Sequence, residues 1–392
     1  MKQGWEIKKL GEVCTIVGGS TPKTTVKEFW DNGVYNWITP ADLKGEKYYG
    51  STPRKLSEIA IQRNSLTILP VGSVLLSSRA PIGKVAITTE PMYTNQGFKS
   101  AICSDEINNE YLYWFLYGST DYLNSLGTGA TFKEISKKNT ESIHIPLPSI
   151  DEQIRIVDVI NAAFAKIDAL KENAQKNLEN AKTLFQQVLK QELTPKPNWQ
   201  TKKLGEIALK KLSYGASVPS RNFDGEYRYI RITDIDEDGK LLNDLVSPAV
   251  CEEKHILHSG DLLLARTGGT IGKSYLYSPE DGKCIYAGYL IRVIVNQDIV
   301  LPEFVFLNTK TDRYWNFIKK SQKTAAQPNI NAQQYSSFDI PYPSKDEQEG
   351  IVRKIKSIFT KQKQLEKCCQ KTIAECDALK QAVLRRAFNG EL

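Results

Sequence analysis

The chain has 392 residues, with 52 Lys and Arg against 45 Asp and Glu and a formal net charge of +7. That length suits two to four domains, and 41% hydrophobic with 25% charged residues is ordinary for a soluble globular protein. No run of about 18 apolar residues offers a transmembrane helix, and Met1-Lys2-Gln3-Gly4-Trp5 lacks the apolar core of a signal peptide, so a cytoplasmic protein without membrane contact is expected.

Taken in chain order, the elements come twice. Trp5-Glu6-Ile7-Lys8-Lys9-Leu10-Gly11-Glu12 returns as Trp199-Gln200-Thr201-Lys202-Lys203-Leu204-Gly205-Glu206. A Gly, Ser and Thr-rich loop, Gly18-Gly19-Ser20-Thr21-Pro22-Lys23, follows in the first copy, where the second has Tyr214-Gly215-Ala216-Ser217-Val218-Pro219. Tyr35-x-Trp37-Ile38-x-x-x-Asp42-Leu43 returns as Tyr227-x-Tyr229-Ile230-x-x-x-Asp234-Ile235. The runs 71–76 and 259–264 read as buried strands opened by a turn. Ile82-Gly83-Lys84 and Ile271-Gly272-Lys273 each follow an apolar stretch and an arginine, Arg79 and Arg266. Leu112–Leu116 and Phe304–Leu307 fit helices near the end of each domain. Ile145-Pro146-Leu147-Pro148-Ser149-x-Asp151-Glu152-Gln153 then returns as Ile340-Pro341-Tyr342-Pro343-Ser344-x-Asp346-Glu347-Gln348. Matches in one order at a near-constant offset define an internal repeat.

Each copy closes on a long helix. Ser149 with Glu152, and Ser344 with Glu347, have the spacing of a capping box. Beyond them apolar residues recur every seven positions, as a coiled coil requires. The expected seam holds Val157, Ile160, Phe164, Ile167, Leu178, Phe185 and Val188 in the first helix. In the second it holds Val352, Ile355, Phe359, Ile373 and Val383. Thr194-Pro195-Lys196-Pro197-Asn198 ends the first helix. The predicted division is a globular domain at 1–148, a helix at 149–193, a second domain at 194–343 and a helix at 344–392. The fold class is α+β: two globular mixed α/β domains separated by two long helices forming an antiparallel coiled coil, related by a pseudo-two-fold internal repeat. Net charge by segment is +2, −1, +2 and +4 in that order, so charge alone permits nucleic-acid binding without establishing it.

Catalytic chemistry has little material here. The seven cysteines include no C-x-x-C pair, which speaks against a disulfide framework or thiolate zinc site. His255 and His258 have no companions that would complete a metal site. Arg266-Thr267-Gly268-Gly269-Thr270-Ile271-Gly272-Lys273-Ser274 is one residue short of a P-loop, and a turn presenting a basic residue is expected instead. Glu237-Asp238-Gly239-Lys240 and Glu280-Asp281-Gly282-Lys283 read as surface turns. The chain is expected to be non-catalytic and to carry no metal.

The Trp-x-x-x-Lys-Leu-Gly-Glu opening, Gly18–Lys23, Trp37-Ile38-Thr39-Pro40-x-Asp42-Leu43 and the two Ile-Pro-x-Pro-x-x-Asp-Glu-Gln helix starts resemble the DNA specificity subunit of type I restriction–modification enzymes, over essentially the whole chain. The resemblance implies two target recognition domains, each reading one half of a bipartite double-stranded DNA site. It implies that the paired helices set the spacing and dock two modification (methyltransferase) subunits. S-adenosylmethionine would sit on those partners, with no cofactor on this chain, and restriction (translocase/endonuclease) subunits would complete the nuclease complex. The other reading is a free-standing two-headed DNA-binding protein with no enzyme partner. Base reading needs loop side chains that reach a groove: Arg or Lys for guanine, Asn or Gln for adenine, Thr for the thymine methyl. The DNA-binding candidates in the first domain are Ser20, Thr21, Lys23, Arg79, Lys84, Thr131 and Lys133. In the second they are Tyr214, Ser217, Arg221, Arg266, Thr267, Lys273, Lys323, Gln327 and Asn329.

Overall fold

In the computed structural model, which describes residues 4–79, 81–129, 133–322 and 329–392, the opening and closing motifs of each copy form one antiparallel ribbon. Glu6–Lys9 pairs with His144–Leu147, and Gln200–Lys203 with Asp339–Tyr342, in the same register. A short helical turn follows each opening strand. Leu10 N donates to Ile143 O and Leu204 N to Phe338 O, both at 2.8 Å. The carboxylates of Glu12 and Glu206 cap the turns by accepting from Lys9 N and Lys203 N at 2.7 Å. Gly11 and Gly205 must be bare, because a Cβ would stand 2.9 Å from the Cβ of Glu141 and of Ser336. The repeated opening octapeptide is therefore a framework device that ties the start of each domain to its end.

Between these ribbon strands lies a sheet of short strands. In the first copy five strands run in the order Cys14–Gly18, Lys99–Cys103, Val74–Leu76, Val85–Thr88 and Tyr48–Tyr49, with a smaller sheet of Arg54–Leu56, Tyr35–Ile38 and Met92–Thr94. In the second, Ser213–Tyr214, Leu290–Val293, Leu262–Ala265 and Ser274–Leu276 form the main sheet. The predicted buried strands are thus Val74–Leu76 and Leu262–Ala265, entered through Gly72 and Gly260 at φ +84° and +86°. Helices Asn109–Gly118 and Pro302–Asn308 stand where the aromatic runs placed them.

Two unbroken helices of 44 residues, Ile150–Leu193 and Lys345–Phe388, complete the chain, each about 66 Å long at 1.5 Å per residue. Their starts are fastened by a residue that the capping-box pattern passes over. Gln153 is fully buried. Its Oε1 accepts from Asn108 N (2.8 Å), and its Nε2 donates to Glu106 O (3.0 Å) and Pro148 O (2.9 Å). Gln348 repeats the arrangement with Leu301 N (2.8 Å), Ile299 O (3.2 Å) and Pro343 O (2.9 Å). The capping box itself is weak in the second helix. Ser344 Oγ accepts from Glu347 N at 3.5 Å, while the Glu347 carboxylate accepts from Lys196 Nζ and Trp199 Nε1.

Compact division of the chain does not follow the repeat. One unit comprises residues 1–175 and 370–392, the other residues 176–369. Each therefore takes one globular domain, half of its own helix and half of the other copy's. Within the first unit the helix halves run antiparallel: Lys171 Nζ lies 2.6 Å from Asp377 Oδ1, Lys380 pairs with Asp168, and Arg155 donates to Leu392 O. Within the second, Lys354 Nζ lies 2.7 Å from Glu192 Oε1, and the Phe185 and Phe359 rings meet at 5.3 Å.

The predicted seam is buried at Val157, Ile160, Phe164, Ile167, Phe185 and Ile355. At Leu178, Val188, Val352, Phe359, Ile373 and Val383 it is only half-buried. There the core position passes to neighbours: Leu189 and Leu193 beside Val188, Ile351 beside Val352, and Leu384 and Ala387 beside Val383. A straight α-helix drifts about 20° per heptad from a 3.5-residue repeat. At these ends the helix also faces a globular domain, Leu189 and Leu193 packing with the second and Leu384 and Ala387 with the first, so the buried stripe follows 3.6 residues per turn rather than seven in two.

Candidate nucleic-acid interface

Loops at the strand ends carry the candidate DNA-binding residues, and the structure sorts them by what already engages them. Ser20 and Thr21 follow the strand Cys14–Gly18. Ser20 N donates to Thr94 O (2.9 Å), Ser20 O accepts from Trp37 Nε1 (3.1 Å), and Thr21 Oγ1 bonds Gln96 Oε1. Gly19 makes this junction feasible, since a Cβ there would stand 2.0 Å from Asn95 O. Lys23 is exposed, and its carbonyl accepts from Trp30 Nε1. Arg54, absent from the predicted set, lies over the rings of Trp30 (4.0 Å) and Trp37 (4.9 Å). The loop 20–23 is thus held on an aromatic and backbone platform, with Pro22 buried, Thr21 half-buried, and Ser20 and Lys23 exposed.

Arg79 is not a free cation. Its Nε lies 2.8 Å from Glu134 Oε2, and Lys99 Nζ lies 3.1 Å from Glu134 Oε1. Burial opposes the charge on Glu134, but the bonds from Arg79 and Lys99 outweigh it and hold the carboxyl below its ordinary range. Lys133, next door, is exposed. Thr131 lies outside the described residues. Lys84 points inward, donating to Pro40 O (3.0 Å) and Leu43 O (2.9 Å). Lys273 does the same in the other copy, reaching Ile235 O (3.2 Å) and Glu237 Oε1 (2.9 Å). The repeated Ile-Gly-Lys therefore buttresses the turn that follows Trp37-Ile38 and Tyr229-Ile230. Lys84→Met is expected to lower the stability of the first unit by about 2 kcal/mol, the scale of charge-assisted hydrogen bonds. Urea unfolding reads the loss, and the salt dependence of DNA binding by the assembled complex should not move.

In the second copy Arg221 donates from Nε to Pro248 O (3.1 Å) and pairs with Asp224. Ser217 is exposed beside Gly288. Tyr214, Arg266, Thr267 and Asn329 come together. Thr267 and Asn329 form a β-bridge, Arg266 Nε donates to Asn329 Oδ1 (3.2 Å), and the guanidinium lies 4.7 Å over the Tyr214 ring. Tyr214 Oη accepts from Ala332 N at 3.0 Å. Lys323 and Gln327 lie outside the described residues. The two arginines are not equivalent in the fold. Arg266 N donates to Tyr289 O and Arg266 O accepts from Ile330 N, which are the bonds Ser78 makes with Gly97 O and Ile135 N. Arg79 stands one residue further on. Two exposed residues that the sequence reading passed over, Gln96 and Tyr289, sit beside the candidate loops. The Asn95-Gln96-Gly97 turn signal was the available cue.

Among the described residues no group of three or more His, Cys, Asp or Glu could hold a metal ion, and no helix is long and apolar enough to cross a membrane. His255 is a packing residue: its buried ring meets Tyr286 edge-on at 5.6 Å, and Nδ1 has no hydrogen-bond partner. Burial, then the nearby Lys254 charge, push its pKa below 6.5; Glu252 pulls the other way and Arg292 adds the smallest push downward. Between the folded value and the unfolded value near 6.5, the unfolded chain binds more protons. Stability is thus complete above that upper value and falls as pH drops through the folded one. Urea midpoints at pH 7.5 and 5.5 should separate, and His255→Phe should narrow the gap.

Comparison with known proteins matches both copies of the repeat to one family. The model of the type I restriction modification DNA specificity domain matches twice, over residues 2–180 and 196–375. The specificity subunit of the type I restriction enzyme MjaIX of Methanocaldococcus jannaschii is 36% identical over 242 residues, covering 55% of this chain and 54% of that one. The specificity subunit of EcoR124I/EcoR124II of Escherichia coli is 31% identical over 180 residues, 44% of each. These two matches span about half the length of the relatives. The EcoKI specificity subunit of Escherichia coli K12 aligns over 100% of this chain and 90% of its own, at 24% identity. In fold, the chain resembles one from a type I R-M system assembly (TM-score 0.78, 19% identity, 100% and 99% covered). It also resembles the HsdS subunit of Thermoanaerobacter tengcongensis (TM-score 0.66, 18% identity, 100% and 98% covered). With both copies of the repeat matched by one family model, the chain belongs to the type I restriction–modification DNA specificity family.

Proposed function

We propose that the chain is the non-catalytic specificity subunit of a type I restriction–modification complex acting on double-stranded DNA in the cytoplasm. Each recognition domain reads one half of a bipartite site. The helix pair sets the separation and docks two modification subunits, which hold S-adenosylmethionine and methylate adenine; restriction subunits add cleavage. One observation carries the reading. The residues that recur between the copies (Leu10 and Leu204, Gly11 and Gly205, Lys84 and Lys273, Gln153 and Gln348) all serve the framework, whereas the outward loop residues differ. Two readers built on one scaffold, each for its own sequence, require that division. A stiff helix pair suits a spacer, because half-sites about 34 Å apart present the same face of the duplex.

The test is co-expression with the modification subunit, followed by genome-wide mapping of methylated adenine. A two-part motif with a fixed gap is expected, with no methylation by the chain alone. DNA binding by the complex should weaken steeply with salt. A sequence-specific shift by the isolated chain, with no stable complex, would instead favour a free-standing two-headed DNA-binding protein.

A further inference from the structure

Six arginines lie in residues 194–343: Arg221, Arg228, Arg231, Arg266, Arg292 and Arg313. Five have a terminal nitrogen engaged. Arg221 bonds Asp224, Arg228 bonds Leu242 O, Arg231 bonds Asp234 and Asp244, Arg292 bonds Asp261, and Arg313 bonds Asn308. Arg266 is the exception among the described residues. Its one side-chain hydrogen bond there is made by Nε, to the neutral amide of Asn329. The Tyr214 ring fixes the plane of the guanidinium, and bonds to Tyr289 O and Ile330 N fix its backbone. Among the described residues both terminal nitrogens have no hydrogen-bond partner and form a pre-oriented fork. The backbone that follows it is open among the described residues, since a Cβ on Gly268 or Gly269 would meet nothing within 4 Å.

Resting on the specificity-subunit reading, we propose that Arg266 reads a guanine in the half-site of the second recognition domain, with Asn329 and Tyr214 as positioning residues. The two terminal N–H groups match the O6 and N7 acceptors on the major-groove edge of guanine. A phosphate is the other acceptor a guanidinium fork fits. The base is favoured because a backbone contact needs charge without a fixed plane, whereas here an aromatic shelf and an amide hold the guanidinium and, among the described residues, no carboxylate draws the fork aside. Arg79 illustrates the contrast, bound as it is to Glu134.

The experiment uses the complex of this chain with its modification subunits, in wild-type, Arg266→Ala and Arg266→Lys forms. Wild type is expected to require guanine at a position of one half-site. Arg266→Ala should slow methylation of that site about tenfold to a hundredfold and accept other bases at that one position, leaving the other half-site unchanged. Arg266→Lys, which keeps the charge and guards against a folding defect, should also relax the position. Duplexes with 7-deazaguanine there, lacking only N7, should slow wild type and leave Arg266→Ala unaffected. Tyr214→Ala should relax the position in part, and Tyr214→Phe should not. A uniform loss on all sequences with an unchanged motif would mark a phosphate contact and overturn the proposal. So would a second half-site without guanine. Wild-type complex showing no sequence-specific methylation would instead overturn the specificity-subunit reading itself.

Discussion

Replacing Asp261 by alanine is expected to destabilise the second unit by about 3–5 kcal/mol, the usual consequence of removing one partner from a buried ion pair. Asp261 precedes the strand Leu262–Ala265, and Arg292 lies on the neighbouring strand Leu290–Val293. Their charged ends meet at 2.5 Å with 4% and 8% of the side chains exposed. Asp261 also accepts from His258 N at 2.6 Å, while Arg292 adds a bond to His258 Nδ1 at 3.1 Å. Without the carboxylate, the guanidinium stays in the sheet with a diminished set of partners, its Nε already unpartnered. Urea unfolding followed by circular dichroism measures the loss. Asp261→Leu combined with Arg292→Met should recover much of it, because an apolar pair of similar volume leaves no charge uncompensated. A loss below about 1 kcal/mol in the single variant would contradict this account. The first copy has Ser73 after the corresponding turn, donating to Pro70 O at 2.7 Å. The ion pair is therefore a property of one copy, outside the shared framework.

Gln153→Leu and Gln348→Leu should each cost about 3 kcal/mol or more. Leucine is no smaller than glutamine and opens no cavity, but it strands one backbone N–H and two carbonyls in a dry site, at about 1–3 kcal/mol per group. Two of the three bonds in each copy join the helix start to the segment leading into the helices Asn109–Gly118 and Pro302–Asn308, and the third closes on Pro148 O or Pro343 O at the junction itself. Melting measured by calorimetry reads the stability. Faster proteolysis near residues 148–150 or 343–345 reads the loosened junction. Gln153→Glu should be at least as damaging, because it loses both donors and buries a carboxylate against carbonyl oxygens. An unchanged melting temperature in all three variants would remove the glutamine from its assigned role.

Much of this architecture is legible in the sequence, because it is written in local spacing. The duplicated motifs, the turns at Gly72, Gly260 and Gly282, and the two 44-residue helices depend on residues a few positions apart. The roles of the charged side chains are not local. Arg79 is neutralised by Glu134 and Lys84 is held by Pro40 and Leu43, partners 40 or more residues away. The sequence reading therefore gives both the same standing as the exposed Lys23. Arg266 has the same appearance in the sequence as Arg221, yet among the described residues Arg266 bonds only a neutral amide and Arg221 a carboxylate.

By itself the sequence determined that the chain is two copies of one domain-and-helix unit, and which family its framework residues belong to. Only the tertiary structure decided which loop cations remain available, that a buried glutamine fastens each helix start, and that residues 370–392 belong with the first unit. The reason is physical. Periodicity and turn chemistry act within a few residues, whereas ion pairing, burial and helix pairing depend on distances that folding alone creates. The heptad seam shows both regimes: its existence was set by spacing, and its drift to Leu189, Leu193 and Leu384 by the surfaces each helix end meets.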